Sequence, residues 1–199
     1  MIVRSLRTAM TALAIAILAT GAAPASDTDK LSLGPKVGEK IPHALAASDQ
    51  AGKTRDFDSL KGKRGLILLF NRSVDWCPYC KAQAMAWNGR LGDARALGYE
   101  VAVVTYDTVA KIAAFAESRK VGYAILSDAK SEIIRAFGVL DDSHKPGSFA
   151  YGIPRPIIFV LDAKGIVRHR FSEESYRQRP EIDVVLDSIR KSSGRGAEG

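Results

Sequence analysis

Cysteine is scarce in this chain: Cys77 and Cys80 are the only two among 199 residues. Histidine is nearly as rare, and His43, His144 and His169 stand singly with no paired spacing. A structural zinc needs about four ligands, so two thiols and three scattered imidazoles do not compose such a site, and no bound metal or other cofactor is expected. Cys80 is followed by Lys81 rather than histidine, which removes a c-type haem attachment. No glycine-rich nucleotide loop and no internal repeat occur. The formal charge is +7, yet basic and acidic residues are interspersed and no basic block forms. That pattern describes a solvated surface and excludes a nucleic-acid face. Beyond residue 25 no apolar run is long enough to cross a bilayer.

The first 25 residues read as a secretory signal peptide. Arg4 and Arg7 supply its positive end, Ala9 to Ala19 is apolar except for Thr11, and Ala23-Pro24-Ala25 offers small residues for cleavage after Ala25. No cysteine lies near that point, so a lipid anchor is not expected. Without Arg4 and Arg7 the chain keeps 27 basic against 22 acidic residues, a balance of +5. The expectation is an exported, periplasmic protein with no stable membrane insertion after cleavage, in a compartment where disulfides persist. The expected organisation is a signal peptide over 1–25, a flexible leader over 26–36, one domain over 37–191 and a disordered tail over 192–199. An apolar content of 46% with 26% charged residues fits one globular domain.

The chemistry centres on Phe70 to Gln83. Leu66 to Phe70 is a continuous apolar run, as expected of a strand buried on both faces. Cys77-Pro78-Tyr79-Cys80 then opens a helical pattern predicted to run from Pro78 to about Leu97, with Gly89 and Gly92 weakening its second half. A helix N-terminus presents unpaired N–H groups and partial positive charge, which stabilise a thiolate. Pro78 suits the first helical position, where its missing N–H costs nothing. In such places Cys-x-x-Cys thiols ionise below the usual value of about 8.5. The pair could instead be half of a metal site, a short structural staple or inert core thiols. The spacing and the strand-to-helix setting favour redox cycling.

The remaining pattern alternates. Thr54 to Phe57 reads as a short strand and 58–62 as a helical turn. Tyr99 to Tyr106 is a strand, followed by a helix to Arg119 capped by Asp107 or Thr108. Tyr123 to Leu126 is a short strand, and 131–137 a helix capped by Ser131. Val139 to Ile153 is an irregular loop. Ile157 to Leu161 and Ile166 to Phe171 form a hairpin around Asp162-Ala163-Lys164-Gly165, and a last amphipathic helix spans 180–191. Strand–helix alternation argues for an α/β domain with a parallel-containing sheet covered on both faces, and the hairpin adds an antiparallel pair.

Four segments carry a resemblance. They are Val37-Gly38-Glu39-Lys40-Ile41-Pro42 with Asp49-Gln50-Ala51-Gly52-Lys53, then Leu60-Lys61-Gly62-Lys63, then Asp75-Trp76-Cys77-Pro78-Tyr79-Cys80, and finally Pro156 to Gly165. Over about residues 35 to 190 the chain resembles the thioredoxin-like superfamily, and within it the peroxiredoxin-like branch, the alkyl hydroperoxide reductase and thiol-specific antioxidant group. The resemblance implies a three-layer fold, a central mixed sheet flanked by helices, with an N-terminal β-hairpin extension. It also implies that Pro156, after Arg155, is the superfamily's cis-proline beside the cysteines, with Pro154 as the alternative.

Two mechanisms compete. In thiol–disulfide exchange, an exposed Cys77 thiolate attacks a protein disulfide and Cys80 resolves the mixed disulfide. In a peroxidase, a thiolate attacks a hydroperoxide, becomes a sulfenic acid and condenses with the second cysteine. Either needs a thiol reductant or redox partner protein to reset the pair. The sequence favours exchange, in a broadly antioxidant role, with the peroxidase as its alternative. The branch's Pro-x-x-x-Thr-x-x-Cys pattern is incomplete: with its cysteine on Cys80, Ser73 and Cys77 take the proline and threonine positions, and with it on Cys77, Phe70 and Val74 do. Arg72 and Arg155 are candidates to stabilise a thiolate or polarise a peroxide, Lys81 to add positive potential, and Trp76 to pack beside the cysteines. A third reading, a non-catalytic copper-holding maturation factor, rests on the softness of thiolates and lacks a methionine or histidine near Cys80 in the helix.

Overall fold

The computed structural model describes residues 29–194; the expected signal peptide (1–25) lies outside them. Three strands that the sequence marks by apolar runs make the centre: β3 (Gly65–Phe70), β4 (Tyr99–Thr105) and β6 (Ile157–Asp162). The chain begins with the antiparallel pair β1 (Ala47–Asp49) and β2 (Thr54–Arg55), joined by a turn that Asp49 ties by accepting from the N–H groups of Ala51 and Lys53. The expected strand to Phe57 stops at Arg55, because Asp56 caps the one-turn helix α1 (Phe57–Leu60) through a reciprocal bond with Ser59. With β5 (Ala124–Ser127) and β7 (Val167–Ser172) the sheet has seven strands in the order β2-β1-β5-β4-β3-β6-β7. Strands β3, β4 and β5 are mutually parallel, and β6, β7 and the β1–β2 pair run antiparallel to their neighbours.

Alternation along β3 sends Ile67 and Leu69 to one face and Leu66, Leu68 and Phe70 to the other. The first face packs against α2 (Pro78–Gly89), α3 (Leu91–Ala96), α4 (Val109–Arg119) and α6 (Ile182–Gly194), through Trp87, Leu91, Ile112, Phe115, Val185, Leu186 and Ile189. The second is covered by α1 and α5 (Glu132–Ala136), with Leu60, Ile133, Ile134 and Phe137. This is the thioredoxin-like α/β sandwich, with a β-hairpin added at its N-terminal edge.

Several local expectations need correction. The helix predicted over 78–97 is two helices, since Arg90 leaves helical geometry (φ −113°, ψ 14°) and its guanidinium bridges Asp93 and Asp183. Neither Asp107 nor Thr108 caps α4 with its side chain. Ser131 does not cap α5 either: it takes a left-handed conformation, and Asp128 accepts from the N–H groups of Glu132 and Ile134 instead. Residues 29–36, placed in the leader by composition, lie against the sheet: Asp29 pairs with the buried Arg170 at 3.0 Å, and Arg170 donates to the Leu33 carbonyl at 2.7 Å. The last helix reaches Gly194 rather than Lys191.

Candidate functional site

The parallel strands β3 and β4 end side by side, and a buried carboxylate ties together the two segments that leave them. Asp107, just past β4, accepts from the Ser73 hydroxyl (2.8 Å), the Val74 N–H (2.7 Å) and the Thr105 hydroxyl (2.9 Å). Ser73 Oγ in turn accepts from the N–H groups of Asp75 and Trp76. The chain from Phe70 to Cys77 is thereby fixed by side-chain bonds where no secondary structure holds it. Asp107→Ala would orphan three buried donors at once. It is expected to destabilise the fold by about 2–4 kcal/mol, read as a lowered urea midpoint; an unchanged midpoint would show the clamp idle.

The clamp delivers Cys77 to the N-cap of α2, where its Sγ accepts from the Cys80 N–H at 3.3 Å, and Pro78 stands at the first helical position. Cys77 and Cys80 form a disulfide, with Cα atoms 5.3 Å apart. The expected exposure of Cys77 is not found: Cys77 is 1% and Cys80 0% exposed. The cover is aromatic and cationic. Trp76 donates to the Tyr106 hydroxyl at 2.9 Å, which donates to the Phe149 carbonyl, and the Phe149 ring meets Trp76 edge-on. The guanidinium of Arg72, largely buried, lies 4.1 Å from the centre of the Tyr176 ring and 5.3 Å from that of Trp76. Such stacking desolvates a cation without a carboxylate.

Arg179 is the residue that sequence reasoning missed. Its Nη2 donates to Cys80 Sγ at 3.4 Å and its Nε to Gln83 Oε1 at 3.0 Å, while Nη1 bonds the Tyr176 and Gln178 carbonyls. Burial, and then the charge of Arg72, pull its guanidinium down to about 10. Arg179 thus touches the Cys80 sulfur and feels the charge of Arg72, and neither cation has a carboxylate partner among the described residues. A thiolate at Cys80 would satisfy Arg179 with a charge-assisted bond. The available signal was an arginine at 179 just before an amphipathic helix, where a cation opposes the helix dipole and needs another partner.

The other predicted residues divide. Trp76, Pro78 and Arg72 gather at the disulfide. Arg155 does not bond to either cysteine; its Nη2 donates to the Glu174 carbonyl at 2.8 Å and so ties down the segment that carries Tyr176 and Arg179. Pro156 is buried at the start of β6, but its peptide bond is trans, as are all described bonds, so the expected cis-proline is absent at both 156 and 154. The Arg155 N–H is bonded to the Val139 carbonyl at 2.7 Å, and the Leu140–Pro154 bridge holds this approach extended, which a trans bond continues into β6. Each histidine is engaged elsewhere: His43 with the Leu45 N–H, His144 near Asp141, and His169 stacked on Phe171.

The sandwich and a Cys-x-x-Cys pair at the head of α2 define a thioredoxin-fold oxidoreductase. The model of the AhpC/TSA family matches residues 37–170, and the chain belongs to that family. It is 26% identical over 156 residues to Peroxiredoxin Bcp of Escherichia coli K12, covering 78% of this chain and 96% of that protein. To the chloroplastic Peroxiredoxin Q of Suaeda salsa it is 28% identical over 158 residues, 79% of this chain and 70% of that one. Among solved structures, Peroxidoxin BcpB from Mycobacterium tuberculosis superposes with a TM-score of 0.66 at 26% identity, over 78% of this chain and 97% of that one.

Proposed function

We propose that the protein is a thiol-dependent peroxidase that reduces hydroperoxides, with Cys80 as the attacking thiolate and Cys77 as the resolving thiol. The observation that carries this reading is the Arg179 contact to Cys80 Sγ. It reverses the order that the motif alone suggests. Cys77 Sγ is served by one neutral backbone N–H, whereas Cys80 Sγ faces a guanidinium, and charge-assisted bonds are roughly twice as strong. Kinship with peroxiredoxins supports the peroxide over the protein disulfide as oxidant.

In the reduced enzyme the Cys80 thiolate attacks the terminal oxygen of ROOH. An S–O bond forms, the O–O bond breaks, and the departing alkoxide takes a proton to leave as ROH. The Cys77 thiolate then attacks the Cys80 sulfenic acid. The S–S bond forms and hydroxide leaves, protonated, as water. An external thiol reductant returns two electrons and two protons to the pair. Arg179 holds the thiolate, and Arg72 adds positive potential without a competing carboxylate. Asp107 keeps the 73–77 segment in place so that Cys77 stays within reach.

The test is the rate at which a hydroperoxide oxidises the reduced protein, followed by Trp76 fluorescence. A rate at least ~10³-fold above that of a free thiol is expected. A rate near that of a free thiol, with fast reaction toward a protein disulfide, would replace this reading with exchange through the same Cys77–Cys80 pair.

A further inference from the structure

A groove of about 440 Å³ runs between α2 and the segment leading into α6. Tyr79, Ala82 and Ala86 line it from α2, with Pro180 and Ile182 opposite, so its walls are largely apolar. Arg179 and Gln83 also line it; Cys80 does not, and Arg179 spans from the groove to Cys80 Sγ, 3.4 Å from its Nη2. Its charges are unequal in availability. Arg90 is spent on Asp93 and Asp183. Among the described residues, Glu181 is the one lining carboxylate outside an ion pair, against Arg177 and Arg179, neither of which has a carboxylate partner there. Arg177 is exposed at the mouth beside Tyr176, two residues from the arginine that touches the sulfur.

We propose that this groove selects the substrate, and that the preferred class is a compact organic hydroperoxide with an apolar body and a carboxylate. The body rests on Tyr79, Ala82 and Ile182, the carboxylate pairs with Arg177, and the peroxide points to Arg179, behind which Cys80 stands. The inference builds on the peroxidase reading and names its substrate class. An anionic group at an exposed arginine gives a modest, salt-screened gain, while apolar burial gives affinity without discriminating charge. Charge discrimination is therefore the signature to measure.

The experiment compares cumene hydroperoxide carrying a para carboxylate with its para methyl ester, a pair alike in shape and reactivity. At low salt the acid is expected to show about fivefold higher kcat/KM, through KM, and the ratio should fall toward one in Arg177→Gln and in high salt. Equal constants for acid and ester, or a ratio kept in Arg177→Gln, would overturn the proposal. A binding measurement separates it from the peroxidase reading: by calorimetry the disulfide form should bind 4-isopropylbenzoate about fivefold more tightly than its methyl ester. Such binding without peroxide turnover would remove the peroxidase and leave the anion-selective groove. Fast turnover with no preference in either assay would remove the groove's role alone.

Discussion

Cys80→Ser is expected to lose hydroperoxide reduction by a factor on the order of 10³ or more, because a serine hydroxyl has no accessible anion at neutral pH to take the thiolate's place. Cys77→Ser behaves differently. It should complete the first step at close to the wild-type rate and stop, since the sulfenic acid on Cys80 has no neighbouring thiol with which to condense. Stopped-flow oxidation of each reduced variant by one equivalent of hydroperoxide checks this. Both substitutions remove the same disulfide and so lose the same cross-link. A gap between them in the first step therefore reports which sulfur reacts and not how stable each variant is. A fast first step in Cys80→Ser would return the attacking role to Cys77.

Arg179→Gln is expected to slow the first step about tenfold at pH 7, the effect of raising the thiol's ionisation by about one unit. The sign with pH comes from the charges. Arg179, held at about 10, is charged at pH 7 and supports the thiolate there. As pH rises toward 9 the variant's thiol ionises unaided, so the difference between the two proteins should narrow. A purely structural defect would leave the ratio flat across this range. Stability should move little. Burial lowers this arginine from 12.5, so the cost of holding its cation beside Arg72 is present at every pH below about 10 and is relieved only above it, giving no slope at neutral pH. Removing that cost offsets the lost bonds to Gln83 and the nearby carbonyls.

The strands were legible because β3, β4 and β6 are apolar runs that only a sheet buried on both faces requires. The cysteine pair was legible because strand, Cys-x-x-Cys and helix succeed one another within about twenty residues. Errors gather where one short polar residue can serve two ends. Asp107 and Ser131 both look like caps, yet Asp107 is drawn to Ser73 and Val74 by the neighbouring parallel strand, and Asp128 reaches α5 first. Arg72 was legible as a candidate because it stands five residues before Cys77, whereas Arg179 was passed over because its sequence neighbours do not show which distant group it meets. The rings that enclose Arg72 and the sulfur that Arg179 meets come from distant parts of the chain, Cys80 being 99 residues from Arg179. The groove is invisible in sequence for the same reason: its two walls are α2 and the approach to α6.

The most direct test traps the first oxidation product. Reduced Cys77→Ser and Cys80→Ser proteins each receive one equivalent of hydroperoxide in the presence of dimedone, which captures a sulfenic acid, and their masses are read. The account predicts the adduct in Cys77→Ser, on Cys80, and none in Cys80→Ser. An adduct confined to Cys80→Ser would place the oxygen on Cys77 and contradict the assignment of Cys80 and Arg179 as the reacting pair.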